Sequence, residues 1–237
     1  MKRALAFVLV VFSLVVTLPL QGASSKESKE SAGALCQIHC IGDASESFPR
    51  VSMSVTHGSQ ADELRETKLI AQLHVNTSAA DVLALLADRL ERDGAEITRS
   101  EDKHSLFVED VVRVRIEDMA DIQTTVTFCD RPLEVLSLKR MRSSSSEGEG
   151  QLKITGLLVD SDGMSREFKV LKVDVLSADT GHTVCKRLYE SSLSEGWLPF
   201  RAQTDQWSPN RRKDSKVMES TEISLSADGW ALELTAG

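Results

Sequence analysis

One stretch of this chain spaces its apolar residues as a helix does, while its other apolar runs mostly alternate residue by residue. Between Ala79 and Asp93, the side chains of Val82, Leu83, Leu86 and Leu90 form a single stripe, and Asp88, Arg89, Glu91 and Arg92 fall away from it. At about 3.6 residues per turn that stripe is one buried side of a helix. Ser78 stands before it as an N-cap, Asp81 sits where a carboxylate meets the positive helix end, and Gly94 follows as a stop. Upstream, Leu69, Ala71, Leu73 and Val75 alternate as a half-buried strand, and Asn76 and Thr77 turn the chain. Downstream, Ala95–Arg99 and Ser105–Glu109 flank the polar turn 100–104. Val112, Val114 and Ile116 then alternate with Arg113 and Arg115, and a last strand lies near Thr124–Phe128. One helix on one face of an antiparallel sheet predicts a small α+β domain over residues 48–140.

The serine-, glutamate- and glycine-rich stretch 141–150 interrupts this pattern and reads as a flexible linker between domains, or else as the tip of a long hairpin. Beyond it the expected elements are all strands. Leu152, Ile154 and Leu158 alternate with small or polar neighbours. Phe168–Leu176 follows, and Ser177–Gly181 turns into Thr183–Tyr189. Trp197–Phe200, Val217–Leu225 and the alternating Trp230, Leu232 and Leu234 complete the set. Short strands separated by turns predict a β-sandwich over 151–237.

The order of Leu152–Asp160, a polar loop, Phe168–Leu176, Asp179-Thr-Gly181 and Leu193-Ser-Glu-Gly-Trp-Leu-Pro-Phe200 resembles the FxLYD-like immunoglobulin-like domains of bacterial envelope proteins. It departs from that grammar where Asp160 or Asp162 replaces the usual asparagine after the first strand. The resemblance implies an immunoglobulin-like sandwich and no reaction. The first half is similar to the strand-helix-strand-strand modules near the start of secretins. The expected fold class is therefore α+β: a one-helix antiparallel domain followed by an immunoglobulin-like β-sandwich.

Residues 1–23 have the order of a secretory signal: basic Lys2 and Arg3, an apolar run from Ala4 to Leu18, then Pro19 and the small residues Gly22 and Ala23. The run is shorter than the roughly 20 residues that cross a bilayer. No integral membrane segment is expected after cleavage, and the address is extracytoplasmic, periplasmic or secreted. Residues 24–47 read as a flexible spacer containing Cys36 and Cys40. Without Lys2 and Arg3 the chain carries 26 basic and 36 acidic residues, a net charge of −10, which argues against nucleic acid as a partner.

All four cysteines, Cys36, Cys40, Cys129 and Cys185, follow the leader, and an even count outside the cytoplasm favours disulfides. Three pairings are possible, with Cys36–Cys40 and Cys129–Cys185 preferred, and unpaired or intermolecular thiols are the alternative. Cys36, His39 and Cys40 also form the one candidate metal cluster, short of a fourth ligand. The same segment could act in redox chemistry, although its three-residue spacing is one longer than a redox pair wants. There is no nucleophile elbow, phosphate loop or dinucleotide fingerprint, so no cofactor and no catalytic residues are assigned. His57, His74, His104 and His182 are scattered. Glu109-Asp110 and Glu117-Asp118 occupy strand ends, and Asn76-Thr-Ser78 matches a glycosylation acceptor. The expectation is a non-catalytic exported protein that binds a protein partner of the cell envelope through sheet edges or loops. The alternatives are a small extracytoplasmic hydrolase and a metal- or redox-linked protein.

Overall fold

The computed structural model describes residues 33–44, 49–119, 121–141, 149–159, 166–195, 205–209, 217–227 and 229–237. The leader, residues 24–32 and 45–47 of the spacer, the serine-rich stretch 142–148, Asp160, Asp162 and Trp197–Phe200 lie outside them. In chain order the elements are β1 (Ala34–Ile41), β2 (Arg50–His57), β3 (Arg65–Gln72), α1 (Ala79–Arg92), β4 (Ile97–Arg99), β5 (Ser105–Met119), β6 (Gln123–Phe128) and β7 (Leu133–Arg140). They continue with β8 (Gly150–Val159), β9 (Arg166–Val175), α2 (Gly181–Ser194), β10 (Gln206–Trp207), β11 (Val217–Leu225) and β12 (Trp230–Ala236).

All the described strands join one antiparallel sheet that curls into a half-barrel, in the order β10-β7-β12-β5-β1-β6-β11-β8-β9. β2 pairs with β5 and β3, and β4 with β5. The long strand β5 makes this branching possible. Its first half pairs with β1 and β4, and its second half with β2 and β12. Asp110, at φ 55°, sits between the halves, where the register slips and the strand changes partners. The slip puts Val111 and Val114 in the core, whereas the sequence pattern had set Val112 there.

Alternation then builds a single core. Cys36, Ile38 and Cys40 of β1, Val126 and Phe128 of β6, Ile223 of β11, Leu152 and Ile154 of β8, and Leu232 and Leu234 of β12 all point to the same side. The two helices cover that side. α1 packs on β1, β3, β4 and β5, and α2 on β7, β9 and β10. α1 forms where its stripe predicts. Ser78 Oγ accepts from the Asp81 amide at 3.2 Å, Val82, Leu83, Leu86 and Leu90 are buried, and Gly94 takes φ 84°.

The expected fold class is corrected. There is neither a separate one-helix domain nor an immunoglobulin-like sandwich, because strands from both sides of 141–150 interleave: β12 lies between β7 and β5, and β11 between β6 and β8. Residues Ser31–Gly237 form one compact unit. The segment 183–189, expected as a strand, is the middle of α2. Thr180 Oγ1 accepts from the Thr183 amide at 3.2 Å to start that helix, and Val184, Cys185, Leu188 and Ser192 bury one side of it. A two-layer sandwich needs a second sheet to cover the first. Here helices take that place, which is another solution of the same burial problem. Residues 34–41, placed in the flexible spacer, are the central strand β1, and β2 and β7 form where no element was expected.

Candidate partner-binding edge

Three of the four cysteines are buried, and all four are free thiols. Cys36 and Cys40 lie four residues apart on one face of β1, so their Cα atoms are about 13 Å apart, well beyond the roughly 7 Å that a disulfide spans. The preferred Cys36–Cys40 bridge is therefore excluded by the strand itself. Cys185 packs in α2 against Leu138 of β7, while Cys129 follows β6 beside Leu35. Three strands separate β7 from β6 in the sheet, and the Cys129–Cys185 bridge is not formed. Burial pushes the Cys40 thiol up to about 11 and the Cys185 thiol to about 12, and raises Cys36 and Cys129 as well. Thiols held in the protonated form are poor nucleophiles and poor metal ligands.

His39 points to the face of β1 opposite Cys36 and Cys40, so the candidate metal trio does not converge, and no metal-binding cluster occurs among the described residues. Its Nδ1 instead lies 2.9 Å from Ser105 Oγ, across the β1–β5 pair. Gln37 Nε2 donates to the same oxygen at 3.0 Å, so the Ser105 hydroxyl joins both side chains. Nothing in the sequence marks this pairing, since it depends on strand register. His104 Nδ1 contacts the Cys40 carbonyl at 3.2 Å, and His74 is exposed before α1. Glu117 accepts from Ser52 Oγ at 2.8 Å and pairs with Arg115 at 2.6 Å, which commits it to the surface ladder. Glu109 lies against Glu96, and its carboxyl is held above the usual range by burial first and by Glu96 second.

No sequence motif marks the far end of the sheet. β8 and β9 pair in full register, Gly150 opposite Val175 through to Val159 opposite Arg166. Beyond β9 the sheet ends, so its second edge carries backbone groups unpaired by any described strand. Leu171, Val173 and Val175 point inward towards α2. Phe168, Val170, Lys172 and Asp174 point outward. Phe168 is 72% exposed, the most of any large apolar side chain among the described residues, and Val170 is 44% exposed.

Register sets Leu157 opposite Phe168, Thr155 opposite Val170 and Lys153 opposite Lys172. Thr155 Oγ1 is buried without a hydrogen-bond partner among the described residues. Lys153 leans towards Glu222 of β11 at 3.8 Å, and Lys169 pairs with Glu167 at 2.9 Å. Lys172 makes no ion pair among the described residues.

α2 fixes the inner side of β9. Asp179 accepts from Arg187 Nη2 at 2.6 Å and from the Leu176 amide at 2.8 Å, and Arg187 Nη1 also donates to the Asp174 carbonyl at 2.9 Å. Burial opposes the charge on Asp179, but these donors together outweigh it and hold the carboxyl below its ordinary value. The edge is therefore presented on a fixed support. It combines an open strand, an apolar pair and a local positive charge on an acidic chain.

No protein-family model matches the chain, and no curated protein or solved structure matches it. No helix among the described residues is long and apolar enough to cross a membrane.

Proposed function

We propose that this is an exported, non-catalytic protein that binds another protein of the envelope or secreted space by strand addition at β9. The observation that carries the reading is the open edge of β9 with Phe168 and Val170 beside it. Unpaired strand edges are templates for another chain. Proteins that do not use them shorten, bulge or cover them, whereas β9 runs for ten residues without a register slip. Export is supported by the basic start, apolar run and small residues of the leader.

Site-specific photo-crosslinking in the intact source cells tests the binding reading. A benzophenone side chain at position 168 should give a discrete adduct, lost when Val170→Asp is added. The same group at Leu85, exposed on α1, should give none. Equal adducts from both positions, or none from 168, overturn the reading. N-terminal sequencing of the recovered protein tests export separately, and Met1 retained on cell-interior protein would end that part.

A further inference from the structure

We infer that the β9 edge selects an extended acidic segment, with an acidic residue opposite Lys172 and apolar residues opposite Val170 and Phe168. This rests on the strand-addition reading above and specifies the chemistry of the occupant. Lys153 and Lys172 stand directly opposite each other on one face of the β8–β9 pair. Like charges in that position destabilise a sheet. Lys153 has Glu222 at 3.8 Å to offset its charge, and Lys172 has no such partner among the described residues. Two rungs along the strand, the same face turns apolar at Val170 and Phe168, with Leu157 opposite Phe168. An added antiparallel strand reads these positions in reverse, so the complementary segment has the order acidic, any, apolar, any, apolar. Its carboxylate would sit beside Lys172 and relieve the Lys153–Lys172 repulsion, while its apolar pair would cover Phe168 and Val170.

The same charges argue against a second copy of this chain. A two-fold β9–β9 pairing sets only same-face residues opposite one another, and with near-full overlap it places Lys172 against Phe168 or Val170, which gives the lysine no carboxylate. An acidic chain of net charge −8 also repels itself at long range. Lysines on an edge can serve simply to block self-pairing, and that role makes a different prediction: removing them would raise self-association without any loss of peptide binding.

The test uses the full chain and a fluorescent nine-residue peptide with aspartate, valine and phenylalanine at alternate positions. A matched peptide carries lysine for aspartate, and a third is N-methylated at alternate amides to remove the strand hydrogen bonds. Fluorescence anisotropy should show the acidic peptide binding at least fivefold more tightly than the lysine peptide. That preference should shrink in higher salt and reverse in Lys172→Glu, and N-methylation should abolish binding. Phe168→Ser should weaken both peptides, with circular dichroism confirming that each variant is folded.

Equal affinity for the acidic and lysine peptides, an unchanged preference in Lys172→Glu, or dimerisation of Lys172→Val without loss of peptide binding would overturn the inference. The first two outcomes leave strand addition standing if the crosslink at 168 persists. Loss of that crosslink removes both.

Discussion

His57 ends β2 inside the fold, and its ring is the first link of a buried relay. Its Nε2 lies 3.2 Å from Thr67 Oγ1, whose hydroxyl donates to Asp93 Oδ2 at 2.6 Å, so Nε2 carries the proton and donates to the threonine. Burial lowers the histidine below its ordinary 6.5; Asp93 and Asp110 pull it back up, and Arg65 lowers it further. The fold thus prefers neutral imidazole. Stability from this site should be complete above about pH 6.5 and fall as pH drops through that value, by at most about 1.4 kcal/mol per pH unit for one proton. Urea unfolding at pH 7.5, 6.5 and 5.5 measures the slope. His57→Gln, whose amide can still donate to Thr67, should flatten it; an unchanged slope in that variant assigns the pH dependence elsewhere.

The cysteines make a second prediction at the same scale. Native protein treated with a maleimide at pH 7.5 should be modified slowly, first at half-buried Cys129, and at all four sites once denatured. Intact-mass measurement counts the adducts. Fast native labelling of Cys36 or Cys40 would contradict their burial in the sheet.

At the level of elements, α2 shows how a helix can be hidden in a sequence. Val184, Cys185, Leu188 and Ser192 follow helical spacing, but only two of them are large and apolar, and the neighbouring Thr183 and Tyr189 favour a strand reading. Thr180 with Thr183 three residues on was the better signal, and it was obscured because Asp179-Thr-Gly also suits a turn. α1 was legible because its stripe is all Val and Leu and both its ends carry marked residues.

The junction of α2 with the sheet is tight. A Cβ on Gly181 would stand 2.0 Å from the Leu138 carbonyl oxygen. Gly181→Ala should therefore cost about 2–3 kcal/mol, although alanine favours a helix on propensity alone. Chemical denaturation reads the difference, and a stabilised variant would refute the close approach. Arg187→Met tests the support of β9 in the same way. It strands the buried Asp179 carboxylate and should destabilise by about 2–3 kcal/mol, less than a fully buried pair because Arg187 reaches solvent. The loss should shrink as pH falls through the acid range, because the folded carboxyl is held below its ordinary value by Arg187 and, once protonated, no longer needs the guanidinium.

At the scale of the whole molecule, local patterns identified most strands and could not say which would be neighbours. Leu232 and Leu234 were legible as alternating, but not that they pair with Ile116 and Val114 on one side and Leu138 and Leu136 on the other. Those pairings are separated by more than ninety residues along the chain, and the serine-rich stretch between them resembles a boundary only in sequence. The candidate edge was illegible for the same reason, since Phe168 becomes the exposed flank of a terminal strand only once β8 and β11 have taken their places.

This topology makes a direct prediction. A protease site inserted between Ser144 and Ser145 should be cut without releasing two products, because β7 and β10, β7 and β12, β5 and β12, and β6 and β11 join the halves by backbone hydrogen bonds along four strand pairs. The nicked protein should elute as the intact chain and unfold in one transition coincident by fluorescence and circular dichroism. Either fragment expressed alone should lack that transition, since residues 33–141 would leave the β6 edge and the β5–β7 gap open, and 149–237 would keep β8 beside β11 but lose β6 and both neighbours of β12. Separation of the nicked halves under native conditions, each with its own cooperative melt, would mean that the single curled sheet is not the structure in solution. The β9 edge would then belong to an independent C-terminal unit.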